Sequence, residues 1–199
     1  MISKIDPSTP SSDYMAMAPY WAMVDAILGG KNALEAAGQT YLPKMPKESL
    51  ANYQRRLEGS PFTNIYADIV ANLASKPFAE GVRLVEGALP RFMSLAEDID
   101  GRGNNLNVFA AQTFYGGINY AIDWIFVDYS RAPHRGDGRP LTIAEEGPSG
   151  LNLRPYWVRV PASRVLAVYA DIVRGREVIV HARLRENVIR RDGFGEVSV

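Results

Sequence analysis

The sequence predicts an α+β fold, helical through its first two thirds and packed with an antiparallel or mixed β-sheet formed mainly after residue 124. Three observations carry this. Apolar residues recur at helical spacing between Ala18 and Asp123. From Trp124 the apolar runs shorten and become rich in β-branched and aromatic residues. Glycine and proline fall between the runs, where a chain must turn.

In order, Ala18 to Leu28 sets Tyr20, Trp21, Val24, Ile27 and Leu28 on one helical pattern, ended by Gly29-Gly30. Gly38 to Pro43 reads as a loop. Pro46 opens a helix through Leu57, with Leu50, Tyr53 and Leu57 on one face. Ser60-Pro61 reads as a cap and first-turn pair for the run Phe62, Ile65, Tyr66, Ile69, Val70, Leu73, which Lys76-Pro77 terminates. Val82 to Val85 alternates as a short strand. Leu89 to Ile99 is helical, with Gly101 as its cap, and Asn104 to Asp123 is a long helix. Gly116-Gly117 weakens that helix by about 1 kcal/mol per glycine relative to alanine, so the pair predicts close helix packing or a bend.

Trp124 to Tyr129 reads as a buried strand. Arg131 to Gly150, with its many glycines and prolines, reads as a long surface loop. Strands follow at Tyr156 to Val160, Val165 to Ala170 and Glu177 to Glu186, the last two joined at Arg174-Gly175. Arg190 to Gly193 reads as a further turn, and Gly195 to Val199 alternates up to the last residue. Such a strand exposes an edge, and the expectation is a chain truncated at its C-terminus. Residues 1–17 are expected to be a flexible N-terminal arm and residues 18–199 a single α+β domain.

Composition narrows the function classes. Hydrophobic residues make up 47% and charged residues 22%, a balance that forms a core and rules out a wholly disordered chain. No cysteine is present, which removes disulfides, thiolate nucleophiles and thiolate metal sites. No apolar run approaches the roughly 20 residues of a membrane helix, and no membrane partner is expected. Formal net charge is zero, so no global field draws the chain to nucleic acid. The arginines after Arg154 read as a solvated strand face.

No constellation for chemistry emerges: no catalytic, cofactor-binding or metal-binding residue is assigned, and no cofactor is expected. Asp98 to Asn104 resembles a calcium loop, but its glycine comes early and no closing Glu follows, so it reads as a helix end. Glu97 and Asp98 are neighbours that point apart, and Glu145-Glu146 lie in the loop. His134 and His181 have no metal-ligand spacing, and Ser60, Ser75 and Ser163 lack a nucleophile-elbow context. No phosphate-cradling glycine loop is present. Tyr53, Arg55, Arg56, Phe62 and Tyr66 could form a stacking platform for single strands, but their helical positions assign the aromatics to the core.

Tyr41-Leu42-Pro43-Lys44, Tyr53-Gln54-Arg55-Arg56-Leu57, Phe62-Thr63-Asn64 and Lys76-Pro77-Phe78 form an ordered series of landmarks. It continues through Leu95 to Gly103 with Leu106, Ile125 to Tyr129, Arg154-Pro155-Tyr156 and Leu184-Arg185-Glu186. In order and spacing these resemble the N-terminal portion of an uncharacterised phage family of portal-like proteins. The resemblance implies a structural virion protein rather than an enzyme. Its chain would be the wing part of a subunit in a homo-oligomeric ring, a dodecamer in the full-length protein, at the capsid vertex.

Implied partners are other portal subunits, the terminase, head–tail connector proteins, and double-stranded DNA that passes during packaging and ejection without sequence-specific binding. The implied location is the virion, or the host cytoplasm during assembly. The sequence departs from the family by ending before the stem and clip. Two other readings stay open: a phage or prophage protein–protein interaction module, and an enzyme with a dispersed active site.

Overall fold

The computed structural model describes residues 6–130, 139, 142 and 153–198. The architecture is α+β, with helices in the N-terminal part and strands in the C-terminal part, as the sequence predicts. The chain divides into two compact units: one comprises residues 1–71 and 161–199, the other residues 72–160.

The first unit begins with α1 (Ser12–Leu28), which starts well before Ala18, so residues 12–17 are helical rather than part of a flexible arm. The cause is Ser11, whose hydroxyl accepts from the Tyr14 N–H at 3.2 Å. Its own N–H donates to the Leu166 carbonyl at 2.9 Å. Tyr14 packs edge-on against the buried Trp21, and its hydroxyl donates to the Ser163 carbonyl at 3.0 Å. Past Gly29 the chain continues directly into α2 (Gly30–Ala37), a helix that its short, polar sequence does not announce.

The next helix, α3 (Leu50–Gly59), starts after Pro46, because Ser49 rather than the proline caps it by accepting from the Asn52 N–H. Residues 43–48 instead fold back onto it. Arg56 donates Nε and Nη2 to the two Glu48 carboxylate oxygens, each at 2.9 Å, and Nη2 also reaches the Pro43 carbonyl. The same guanidinium lies 5.5 Å from the centre of the buried Tyr53 ring.

The Arg56 hydrogen bonds hold the Glu48 carboxyl at about 2, below its ordinary 4.5. A carboxyl depressed in the folded state contributes stability that is complete above the unfolded value and is lost as pH falls through the folded one. Acid destabilisation between about pH 4.5 and 2 should therefore be shallower in Glu48→Gln. Urea unfolding at stepped pH checks this; equal pH slopes for the two proteins would contradict it.

Ser60 does not cap the following helix. Its hydroxyl donates to the Arg56 carbonyl at 2.7 Å, closing α3, and α4 (Ile65–Ser75) starts later. Asn64 does the capping: its side-chain oxygen accepts from the Ala67 N–H, while its amide donates to the Ile27 carbonyl at 2.7 Å. Lys76-Pro77 ends α4 as expected, in a short 3₁₀ turn.

Two ribbons complete this unit. β3 (Val165–Val173) and β4 (Arg176–Leu184) pair antiparallel, and β5 (Ile189–Asp192) pairs antiparallel with β6 (Gly195–Ser198). The Arg174-Gly175 turn is as predicted, with φ of +52° and +75°, the double left-handed conformation that matches strand twist. The second turn lies at Gly193-Phe194, so Arg190 to Asp192 are strand rather than turn. Gly193 at φ +60° carries the reversal.

In the second unit, α5 (Pro90–Glu97) ends at Asp98, earlier than the Gly101 cap the sequence predicts. α6 (Leu106–Tyr120) is capped by Asn105, whose side-chain oxygen accepts from the Val108 N–H at 3.0 Å. Val82 to Val85 is not a strand; it finds no ladder partner among the described residues, and the Val82 N–H donates to the Asn107 side chain instead.

β1 (Asp123–Tyr129) pairs with β2 (Pro155–Pro161). The β1 prediction held for the strand but not for its burial: everything beyond Trp124 is exposed, and among the described residues no third strand joins the ribbon. Among the described residues the strands form three two-stranded ribbons, not one sheet.

Two ion pairs organise this unit. Asp123, its side chain almost wholly buried, accepts from Arg159 Nε through Oδ2 and from the Trp124 N–H through Oδ1. Burial pushes the Asp123 carboxyl up despite the opposing pull of Arg159. Gly116 makes room for the pair: a Cβ there would collide with Asp123 Oδ2 and Arg159 Nη2, whereas one on Gly117 would meet nothing. In the second pair, Arg154 Nη2 lies 2.5 Å from Asp98 Oδ2, and Nη1 donates to the Asp98 carbonyl. Phe109, buried, meets Trp157 edge-on at 5.8 Å.

Candidate interaction surface

The residues weighed for chemistry are engaged in structure. In the Asp98 to Asn104 loop, Asp98 Oδ1 accepts from the Gly103 N–H at 2.8 Å. Asp100 accepts from the Arg102 N–H, the Asn104 N–H and the Asn104 amide. Oxygens spent this way make a loop lock rather than a cation cage. Among the described residues no three acidic or histidine groups gather as metal ligands.

His181 lies in β4 against Tyr169, with ring centres 5.9 Å apart. Ser75 donates to its own helix, and the Ser163 carbonyl accepts from Tyr14 and Arg185. His134, Glu145, Glu146 and the predicted 131–150 loop, apart from Arg139 and Thr142, lie outside the described residues.

The stacking platform weighed and set aside at Tyr53, Arg55, Arg56, Phe62 and Tyr66 is not assembled. Tyr53 is buried and Arg56 is committed to Glu48. Phe62, assigned to the core, is 38% exposed, because it falls in the extended link between α3 and α4 rather than on a helix. Arg183 donates to the Tyr169 hydroxyl, and Arg185 bonds both the Tyr14 hydroxyl and the Ser163 carbonyl. Several late arginines therefore brace the first unit.

What remains open is apolar surface. Opposed residues of an antiparallel ladder share a face and successive residues alternate. One face of the β3–β4 ribbon accordingly carries Val168, Ala170, Ile172, Ile179 and Ala182, with Glu177 its one charge. The other carries Tyr169, Asp171, Val173, Arg176, Val178, His181 and Arg183.

The ribbon is rooted where β3 begins: Val165, Leu166 and Ala167 are buried, and the strand is exposed from Tyr169 onward. Ile172 is 74% exposed, Ile179 57% and Val180, at a bulge, 54%. An isolated two-stranded ribbon is marginally stable in water, and β-branched residues contribute by packing. The sequence shows the strands. It does not show that the face stands exposed among the described residues.

A smaller apolar recess of about 160 Å³ in the same unit is lined by Leu34, Tyr41, Leu42, Leu57 and Phe62. In the second unit, Val85, Leu89, Phe92 and Met93 are all more than half exposed. Among the described residues no helix is long and apolar enough to cross a membrane. No protein-family model matches the chain, and no curated protein matches it.

Proposed function

We propose that this chain is a structural subunit, the N-terminal part of a phage portal-like protein whose copies form a ring at the capsid vertex for DNA packaging and ejection. The observation that carries the reading is the β3–β4 ribbon, whose apolar face stands in water beyond its buried root. Contiguous exposed apolar surface marks a contact site, and a ribbon too narrow to stand alone fits an element completed by a neighbour. The ordered landmarks from Tyr41 to Glu186 supply the family.

In this reading the terminase and the head–tail connector proteins dock on the assembled ring, and double-stranded DNA passes through without sequence-specific grip. A neutral chain suits that role, since strong phosphate contacts would hold the DNA back. The protein works in the virion and assembles in the host cytoplasm. It carries out no catalysis and holds no cofactor.

The test is negative-stain microscopy of the product of the complete reading frame, with Ile172→Lys/Ile179→Lys alongside. Rings are expected for the native protein. The variant should lose them while unfolding within about 0.5 kcal/mol of the parent, as exposed substitutions do. A native product that stays monomeric at every concentration would sink the proposal.

A further inference from the structure

A second feature lies wholly within the residue 72–160 unit and is independent of the ribbon. Between the Asp98 to Asn104 loop, α6 and β2 is a solvent-open cavity of about 180 Å³. Apolar cavities of about 150 Å³ admit a benzene ring, so this one has room for a small organic molecule. Its aromatic wall is Trp157, braced edge-on by Phe109 and held in place by the Trp157 N–H, which donates to the Ile99 carbonyl at 2.9 Å.

The polar lining is one-sided. The Arg102 guanidinium, the Gln112 amide and the Trp157 indole N–H have no partner among the described residues. Arg159 gives Nε to Asp123, and no described group takes its terminal nitrogens. Asp100 is the lining's only carboxylate and already accepts three N–H bonds from its own loop, at 2.9, 3.2 and 2.6 Å. What the cavity offers a guest is therefore chiefly donors, two of them guanidinium, beside a flat apolar wall. Guanidinium forks recognise planar oxyanions with charge-assisted bonds.

We propose that this cavity binds a small oxyanion, a carboxylate or phosphate, carried on a flat apolar group that lies against Trp157. The oxyanion meets the Arg102 guanidinium, with Arg159 in the same lining and Gln112 donating beside it. The Asp98–Arg154 pair and the Asp100 turn hold Arg102 at the rim.

The experiment titrates ¹⁵N-labelled protein at fixed ionic strength with benzoate, inorganic phosphate and benzamide, following the indole N–H signal of Trp157, which Trp157→Phe identifies. Benzoate is expected to shift it saturably with a Kd of about 1 mM, and Arg102→Gln to weaken binding about tenfold. Benzamide, the same shape without the charge, should bind at least about tenfold more weakly. Inorganic phosphate, with no flat group to lay against Trp157, should bind more weakly than benzoate, and phosphate binding as tight as benzoate would overturn the role of the aromatic wall. Equal binding of benzamide, an unchanged affinity in Arg102→Gln, or no saturable shift with either anion would overturn the proposal. Arg102 is exposed and its side chain bonds to nothing described, so its variant should fold as the parent does.

Discussion

Gly116→Ala should destabilise the protein by about 2–3 kcal/mol, while Gly117→Ala, one residue on, should stabilise it by about 0.5–1 kcal/mol. Propensity alone treats the two alike, since each alanine removes backbone freedom from the unfolded chain and favours α6. The surroundings separate them. A Cβ at 117 enters open space, and a Cβ at 116 drives into Asp123 and Arg159.

That pair cannot retreat into water without moving β1 or β2, because the Asp123 side chain is almost wholly buried. Forcing it apart strands a carboxylate that burial already strains. Urea unfolding of both variants decides the matter. Two shifts of the same sign would mean that Gly116 is not packed against the pair.

Arg154→Ala should cost about 2 kcal/mol and release the Asp98 to Asn104 loop. Arg154 is the loop's tie to β2: one terminal nitrogen meets the Asp98 carboxylate, and the other meets the Asp98 carbonyl at the end of α5. Without it, Asp98 keeps its bond from the Gly103 N–H but loses its counter-charge. Hydrogen exchange should report the loss locally, with the Arg102 and Gly103 amides accelerating more than those in the middle of α6. Uniform acceleration along the chain would assign Arg154 to global stability instead.

The α+β class and most elements were legible because they rest on period, and period is local. The helical runs of α1, α4 and α6 and the turn at Arg174-Gly175 all show it. Boundaries were less legible, because capping is a competition. Pro46 and Ser60 have the right chemistry, yet Ser49 and Asn64 hold the N–H groups, and Ser60 turns back to the Arg56 carbonyl. Gly116-Gly117 suggested close helix packing or a bend, but Gly116 packs against an ion pair of β1 and β2 whose partners are 36 residues apart, a separation no local pattern shows.

Burial was least legible. Trp124 to Tyr129 and the apolar face of α3 look like core from composition, but Leu50 is 69% exposed and β1 is largely in water. A side chain's hydrophobicity states what it would gain from cover, not whether its own chain supplies any. The candidate surface was therefore visible as strands at Val165 to Ala170 and Glu177 to Glu186, but not visible as surface.

The register of β3 and β4 slips between Tyr169 and Ala170, where His181 and Ile179 are successive partners and Val180 is left over. The extra residue reverses the parity of β4 midway. Glu177 and Ile179 point one way before it, and His181 and Arg183 point the other way after it. A foreign strand laid along this edge cannot keep its own apolar side matched over the full length, and bulged edges twist away from such additions. The hairpin can thus offer a face while refusing an edge. Such an irregularity lets apolar residues stay in water without templating edge-to-edge fibre growth.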